Sequence, residues 1–270
     1  MGALRVIGVD VGGTKLLAGV LGPGGAVEQR SERATPRESQ DDLLAALDAT
    51  VEELLRSSDG VGALGFGIPS QIDQRTGRAL ASVNIPLADV DFRDRMAERF
   101  GLPVEIDNDA NAAAIAEWKL GAGRGTRHMV MLTLGTGIGG GLILDGRPYR
   151  GAIGAGGELG HIVIEHGGAP CQGTCTGHGH LETVASGVAA GARARSLFGA
   201  DADAVELVRR ARNGDARART ALAEVGARLG SGIGSLVNIF NPELVVIGGG
   251  FSAAGDLLLE PARVCPNRRA

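Results

Sequence analysis

Short unbroken apolar runs alternate along this chain with longer stretches in which apolar residues recur at helical spacing. Residues 4–10, 16–21 and 26–34 read as three consecutive strands of an antiparallel meander, and residues 61–68 as a further buried strand. Between them, Ser39-Gln40-Asp41-Asp42 opens a helix whose Leu43, Leu44, Leu47, Val51, Leu54 and Leu55 share one face. Residues 92–100 read as a helix and 102–106 as a strand running into Asp107-Asn108-Asp109-Ala110-Asn111, with a helix over 112–118. The pattern then begins again. Residues 129–134 form a strand, 135–141 a glycine turn and 142–144 its return strand. Helices follow over 201–212 and 215–240, the second placing Leu222, Val225, Leu229, Ile233, Leu236 and Val237 against a core until Asn241-Pro242 stops it. Residues 243–247 are a last strand, with Gly248-Gly249-Gly250 as its turn. Two related α/β halves, 1–107 and 108–270, with a ligand cleft between them, are therefore expected.

Composition narrows the function classes. The 45 glycines in 270 residues cluster just after apolar runs, where tight turns and close ligand approach are needed, rather than forming low-complexity sequence. A net charge of -4 argues against a nucleic-acid surface. No apolar run is long enough to span a membrane, and the N-terminus lacks a basic-then-apolar signal pattern. Three cysteines, an odd number without a secretion signal, point to the reducing cytoplasm.

Four groups of residues carry candidate chemistry. Asp109 stands at a strand-to-helix junction with side-chain amides beside it, a good place for a general base that takes a proton from a hydroxyl; a plain helix N-cap is the bland alternative. In Asp10-Val11-Gly12-Gly13-Thr14-Lys15 the glycines let backbone amides approach a phosphate, Thr14 and Lys15 add a hydroxyl and a charge, and Asp10 can hold water around magnesium. It is neither a Walker loop nor a dinucleotide fingerprint, and a hairpin turn explains it as well. Leu134-Gly135-Thr136-Gly137-Ile138-Gly139-Gly140-Gly141 repeats the device in the second half, so one phosphate chain could be gripped from both sides. Finally, Gly157-Glu158-Leu159-Gly160-His161 precedes Cys171, Cys175, His178, His180 and Glu182. His161, Cys171, Cys175 and His180 suit a four-coordinate zinc that would pin the loop and orient Glu158 and Glu182 towards sugar-like hydroxyls.

In this order, together with Asn84-Ile85-Pro86, Leu181-Glu182 and Gly248–Gly250, these motifs make the chain resemble the ROK family of sugar kinases and repressors across most of its length. The resemblance implies a two-lobed actin/hexokinase-like (ribonuclease H-like) fold with ATP, Mg²⁺ and sugar in the interlobe cleft. It implies transfer of the γ-phosphoryl group of ATP to the 6-hydroxyl of glucose, with N-acetylmannosamine, fructose and allose as rival acceptors. Asp109 is then the base, Asn84, Asn108, Glu158, His161 and Glu182 hold sugar hydroxyls, and Asp10, Gly12, Gly13, Thr14, Lys15, Gly135, Thr136, Gly137, Gly249 and Gly250 hold ATP. His161 also ligates a structural zinc, and a homodimer is expected.

Two departures stand out. The family's zinc loop has C-x-C-G-x-x-G-C, whereas here Cys171 and Cys175 are further apart and His180 replaces the last cysteine, with His178 as rival ligand. Family members also continue well beyond the last glycine turn, so a shortened C-terminus with the nucleotide side less covered is expected. A non-catalytic sugar-sensing regulator is the alternative reading. Such proteins carry a DNA-binding segment before the kinase-like part, while here the strand pattern starts at Leu4. Polyphosphate as donor is disfavoured by Leu16-Leu17 after Lys15.

Overall fold

The computed structural model describes residues 4–82, 84–173 and 175–264; Thr174 of the cysteine loop and the tail from Cys265 lie outside the described residues. The chain divides into two compact units, one running to Ala116 and including Arg150–Gly156, the other formed by Glu117–Tyr149 and the chain from Gly157.

The first unit opens with β1 (Arg5–Val11), β2 (Lys15–Leu21) and β3 (Val27–Ala34), the expected meander. α1 (Gln40–Arg56) follows, its Ser39 side chain capping the Asp42 amide as the sequence predicts. Then come β4 (Val61–Ile68), a small antiparallel sheet of β5 (Ser70–Asp73), β6 (Arg78–Ser82) and β7 (Ala88–Val90), α2 (Phe92–Phe100), β8 (Val104–Asn108) and α3 (Asp109–Leu120). The main sheet has the order β3-β2-β1-β4-β8, with β1, β4 and β8 parallel. Its register sets Asp10 opposite Gly67 and Gly67 opposite Asp107, so the strand ends bearing the acidic residues share one edge. Ligand chemistry favours that carboxyl edge in parallel sheets. Leu43, Leu47 and Val51 of α1 and Phe92 and Met96 of α2 are fully buried in this unit's core, where Phe92 meets Phe66 edge-on at 5.1 Å between ring centres.

The second unit repeats the plan. β9 (Met129–Leu134), β10 (Ile138–Leu144) and β11 (Arg147–Tyr149) form a meander, and β12 (Leu244–Gly248) pairs parallel with β9, giving β11-β10-β9-β12. The helices α4 (Glu182–Ala185), α5 (Gly187–Phe198), α6 (Ala204–Arg212), α7 (Ala216–Phe240) and α8 (Asp256–Val264) complete it. The long α7 starts at Asp215, whose side chain caps two amides, and stops where Asn241 turns left-handed before Pro242. Its Leu222, Val225, Leu229 and Leu236 are buried as the spacing predicts. The lone tryptophan, Trp118, ends α3, its indole N–H donating to the Thr126 carbonyl (2.9 Å).

Several expectations are corrected. The glycine turn expected over 135–141 is shorter: β10 begins at Ile138, and Gly139, Gly140 and Gly141 lie inside the strand. A side chain at Gly140 would run into the Gly157 carbonyl at 2.3 Å and into Leu159, so this glycine serves close packing of the turn beneath Glu158 rather than a phosphate. The helix expected over 112–118 is α3, and it starts at Asp109 itself, not at 112. A break between 107 and 108 would fall inside β8, which is held to β4 by parallel pairing as far as Asn108. The compact units divide instead within α3. Residues beyond the last glycine turn are not bare: α8 packs on α7 with Leu258 and Ala262 buried, and β12 is half-buried.

Candidate active site and metal cluster

β8 ends at Asn108 and α3 starts at Asp109, so the polar cluster occupies a helix N-terminus at the carboxyl edge of the sheet. The capping expected of an Asn-Asp pair is present, but Asn108 performs it: its Oδ1 accepts from the amides of Ala110 (3.0 Å) and Asn111 (3.3 Å). Asp109 accepts from the Ala110 amide (2.8 Å). Desolvation pushes its carboxyl above the usual carboxylate range, outweighing those hydrogen bonds. Asp10 is raised too, first by desolvation and then by the Asp109 charge beside it. Two carboxylates thus share a partly dehydrated corner, and the one at the helix start gains proton affinity.

Behind them lies a contact absent from the sequence reading. Arg150 donates from Nε (2.8 Å) and Nη2 (2.6 Å) to Oδ2 of Asp107, which is 8% exposed. The two partners stand 43 positions apart, so no sequence spacing could have found the pair.

The segment Gly12–Thr14 closes the β1–β2 hairpin, with the Gly12 amide donating to the Lys15 carbonyl (3.0 Å) and the Thr35 hydroxyl to the Gly12 carbonyl (2.7 Å). Lys15 pairs with Glu32 on β3 (3.2 Å), with both side chains more than half exposed. Asn84 sits against this turn, its Cβ 3.5 Å from the position a Gly13 side chain would take. In the second unit, Gly135-Thr136-Gly137 closes the β9–β10 hairpin. It is strapped to the start of α5, where the amides of Gly187 and Val188 donate to the carbonyls of Gly135 (2.9 Å) and Thr136 (3.4 Å).

This strap opens onto a pocket of about 770 Å³ lined by Thr136, Val188, Val205, Arg195, Arg212 and Phe251 among others, with Gly250 at its edge. Gly249 turns the chain into it. An apolar pocket beside a glycine turn suits a flat heteroaromatic ring with a charged tail. Sequence reasoning expected Gly249 and Gly250 near the nucleotide but missed α5, although Ser186 before Gly187 is a readable helix cap and is used as one.

The cysteine loop gathers its donors tightly. His161 Nδ1 lies 3.1 Å from His180 Nδ1 and 3.5 Å from Cys171 Sγ; His180 Nδ1 lies 3.0 Å from Cys171 Sγ and 3.9 Å from Cys175 Sγ. Tetrahedral zinc with nitrogen and sulfur ligands has edges of roughly 3.3–3.8 Å, so these four atoms fit the ion with small adjustments. The rival His178 is exposed and outside the cluster. Gly177 is needed here, because a side chain on it would strike the His180 ring at 2.4 Å. The Cys171 thiol is pushed up to about 12, first by desolvation and then by donating to Glu182 Oε1 (3.0 Å). Glu182, 7% exposed, also accepts from the Ile138 amide (3.3 Å), so one carboxylate touches both the His/Cys cluster and the β9–β10 turn. His161 turns its other nitrogen, Nε2, towards Glu158 at 4.0 Å.

The ROK family profile matches residues 6–270. The chain belongs to the ROK family. Among ROK relatives, a glucokinase of Halalkalibacterium halodurans is 38% identical over 95% of this chain and 83% of its own length. A ROK glucokinase from Streptomyces griseus, solved with glucose and AMPPNP, superposes with a TM-score of 0.86 at 33% identity, covering 97% of this chain and 88% of that one. A putative xylose repressor of Caldicellulosiruptor is 32% identical over 98% of this chain and 70% of its own. The fold is thus the actin-like one of ROK sugar kinases. Among the described residues, no helix is long and apolar enough to cross a membrane.

Proposed function

We propose that this ROK protein is an ATP-dependent glucokinase that transfers the γ-phosphoryl group to the 6-hydroxyl of glucose. The observation that carries the reading is the Asp109 carboxyl, held at the head of α3 with its proton affinity raised by burial. A base needs that affinity when the hydroxyl attacks, and an ordinary exposed aspartate has less of it. Asn84, Asn108, Glu158, His161 and Glu182 hold the sugar hydroxyls. Gly12, Gly13, Thr14, Lys15, Gly135, Thr136 and Gly137 hold phosphates, while Gly249, Gly250 and the apolar pocket receive the adenosine end. Magnesium entering with ATP supplies charge neutralisation, with Asp10 holding its water. His161, Cys171, Cys175 and His180 hold one structural zinc, leaving His161 Nε2 for the sugar. The working form is a cytoplasmic homodimer with no nucleic-acid or membrane partner.

Glucose stands first because two of the relatives above are glucokinases. The repressor relative supports a second reading, sugar sensing without turnover. A coupled assay with glucose, fructose, allose and N-acetylmannosamine, each with ATP and with polyphosphate, separates these. Turnover highest with glucose and ATP is expected. Sugar binding without turnover on any acceptor would overturn the kinase reading in favour of the sensor.

A further inference from the structure

Asp107 has no role in the scheme above, yet four donors converge on its nearly buried carboxylate. Arg150 gives two hydrogen bonds to Oδ2; Gln74 Nε2 (3.2 Å) and the Asn108 amide (2.9 Å) give theirs to Oδ1. The next residue, Asn108, continues the chain of contacts. Its Oδ1 receives the Ala110 and Asn111 amides, and its Nδ2 reaches the Ser70 carbonyl (3.5 Å). An unbroken series of hydrogen bonds therefore runs from Arg150 through Asp107 and Asn108 into the first turn of α3. Arg150 is itself fixed, its carbonyl accepting from the Gly156 amide (2.8 Å).

We propose that the Asp107–Arg150 pair is a positioning device for the phosphoryl-transfer step: it clamps the first turn of α3 and, through it, the carboxylate of Asp109. The proposal rests on the reading of Asp109 as the base. A buried ion pair is weak evidence for stability, since apolar replacements often do as well; what this pair supplies is a fork of two N–H donors on one carboxylate oxygen, which fixes its orientation. Displacement of a catalytic group by about 1 Å costs on the order of 10²-fold in rate.

The test uses Arg150→Met, which keeps length and removes the donors, Arg150→Lys, which keeps charge without the fork, and Arg150→Ala with added guanidinium ion. In Arg150→Met, kcat should fall roughly 10- to 100-fold while KM for ATP stays near that of the parent. Amide exchange should quicken at Ala110 and Asn111 but not in the central strands. Arg150→Lys should lie between, and guanidinium should restore part of the lost kcat in Arg150→Ala. Unchanged kcat with unchanged exchange at those two amides would overturn the proposal. So would a loss spread equally over kcat, both KM values and exchange throughout the sheet, without guanidinium rescue, since that describes a fold defect. Asp109→Asn measured alongside keeps the two ideas apart: retained turnover there would remove the base, while exchange at Ala110 and Asn111 still decides the clamp.

Discussion

The Asp109 carboxylate carries its charge at a cost in stability. Its folded pKa lies above the ordinary value because the site is partly dehydrated, so the native state binds a proton there more tightly than the unfolded chain does. The charged form then costs stability in full above the folded pKa and not at all below the unfolded one. Asp109→Asn should therefore lose on the order of 10²–10⁴ in kcat while melting no lower than the parent near neutral pH. That advantage should shrink as pH falls through the raised pKa. Turnover within a few-fold of the parent, measured across pH, would remove Asp109 from its role. Its candidacy was readable because a carboxylate among amides at a strand end is a local pattern. Asp107 was not readable, because its partner Arg150 reaches it only through the folded chain. Lys15 likewise has a partner that the sequence did not show: Glu32, a neighbour created by the β2–β3 register.

At the scale of elements, the cysteine loop tests the proposal that a zinc ion and the sugar are linked. Cys171 touches Glu182, and Glu182 touches the Ile138 amide, so loosening the loop should be felt at two places proposed to hold ligands. One zinc per chain is expected by metal analysis after a chelator wash. Cys171→Ser should lower melting temperature and weaken sugar binding together. Metal-free protein with normal melting and normal sugar affinity would show that packing alone holds the loop. Elements were legible where apolar residues were large and regularly spaced: β4, α2 and β9 lie where the pattern puts them. The small sheet of β5, β6 and β7 was not, its strands having only three to five residues. α5 escaped because its buried face is Ala190, Gly191 and Ala194, too small to show a periodic apolar signal.

In the whole molecule, one strand plan occurs twice, a meander followed by a parallel partner to its first strand, and the repeat was visible in the sequence as a pattern restarting near Met129. The glycines marked both hairpins, but where β10 begins was set by packing against the turn after Glu158, which no run of glycines reveals. Ile239, 68% exposed near the end of α7, leaves an apolar side chain suited to a two-fold contact. Light scattering at micromolar concentration should give twice the chain mass; a monomer there would count against the pairing. One residue offers a view of the substrate without any label. Trp118 is the chain's sole indole and rides on the helix that Asp109 begins, with the Lys119 ammonium 3.7 Å from its ring centre. Its emission is thus a single-source optical signal carried by α3. Glucose added in the dark of catalysis, to Asp109→Asn protein without nucleotide, should perturb that light in a saturable way and yield a binding constant for a variant that no longer turns over.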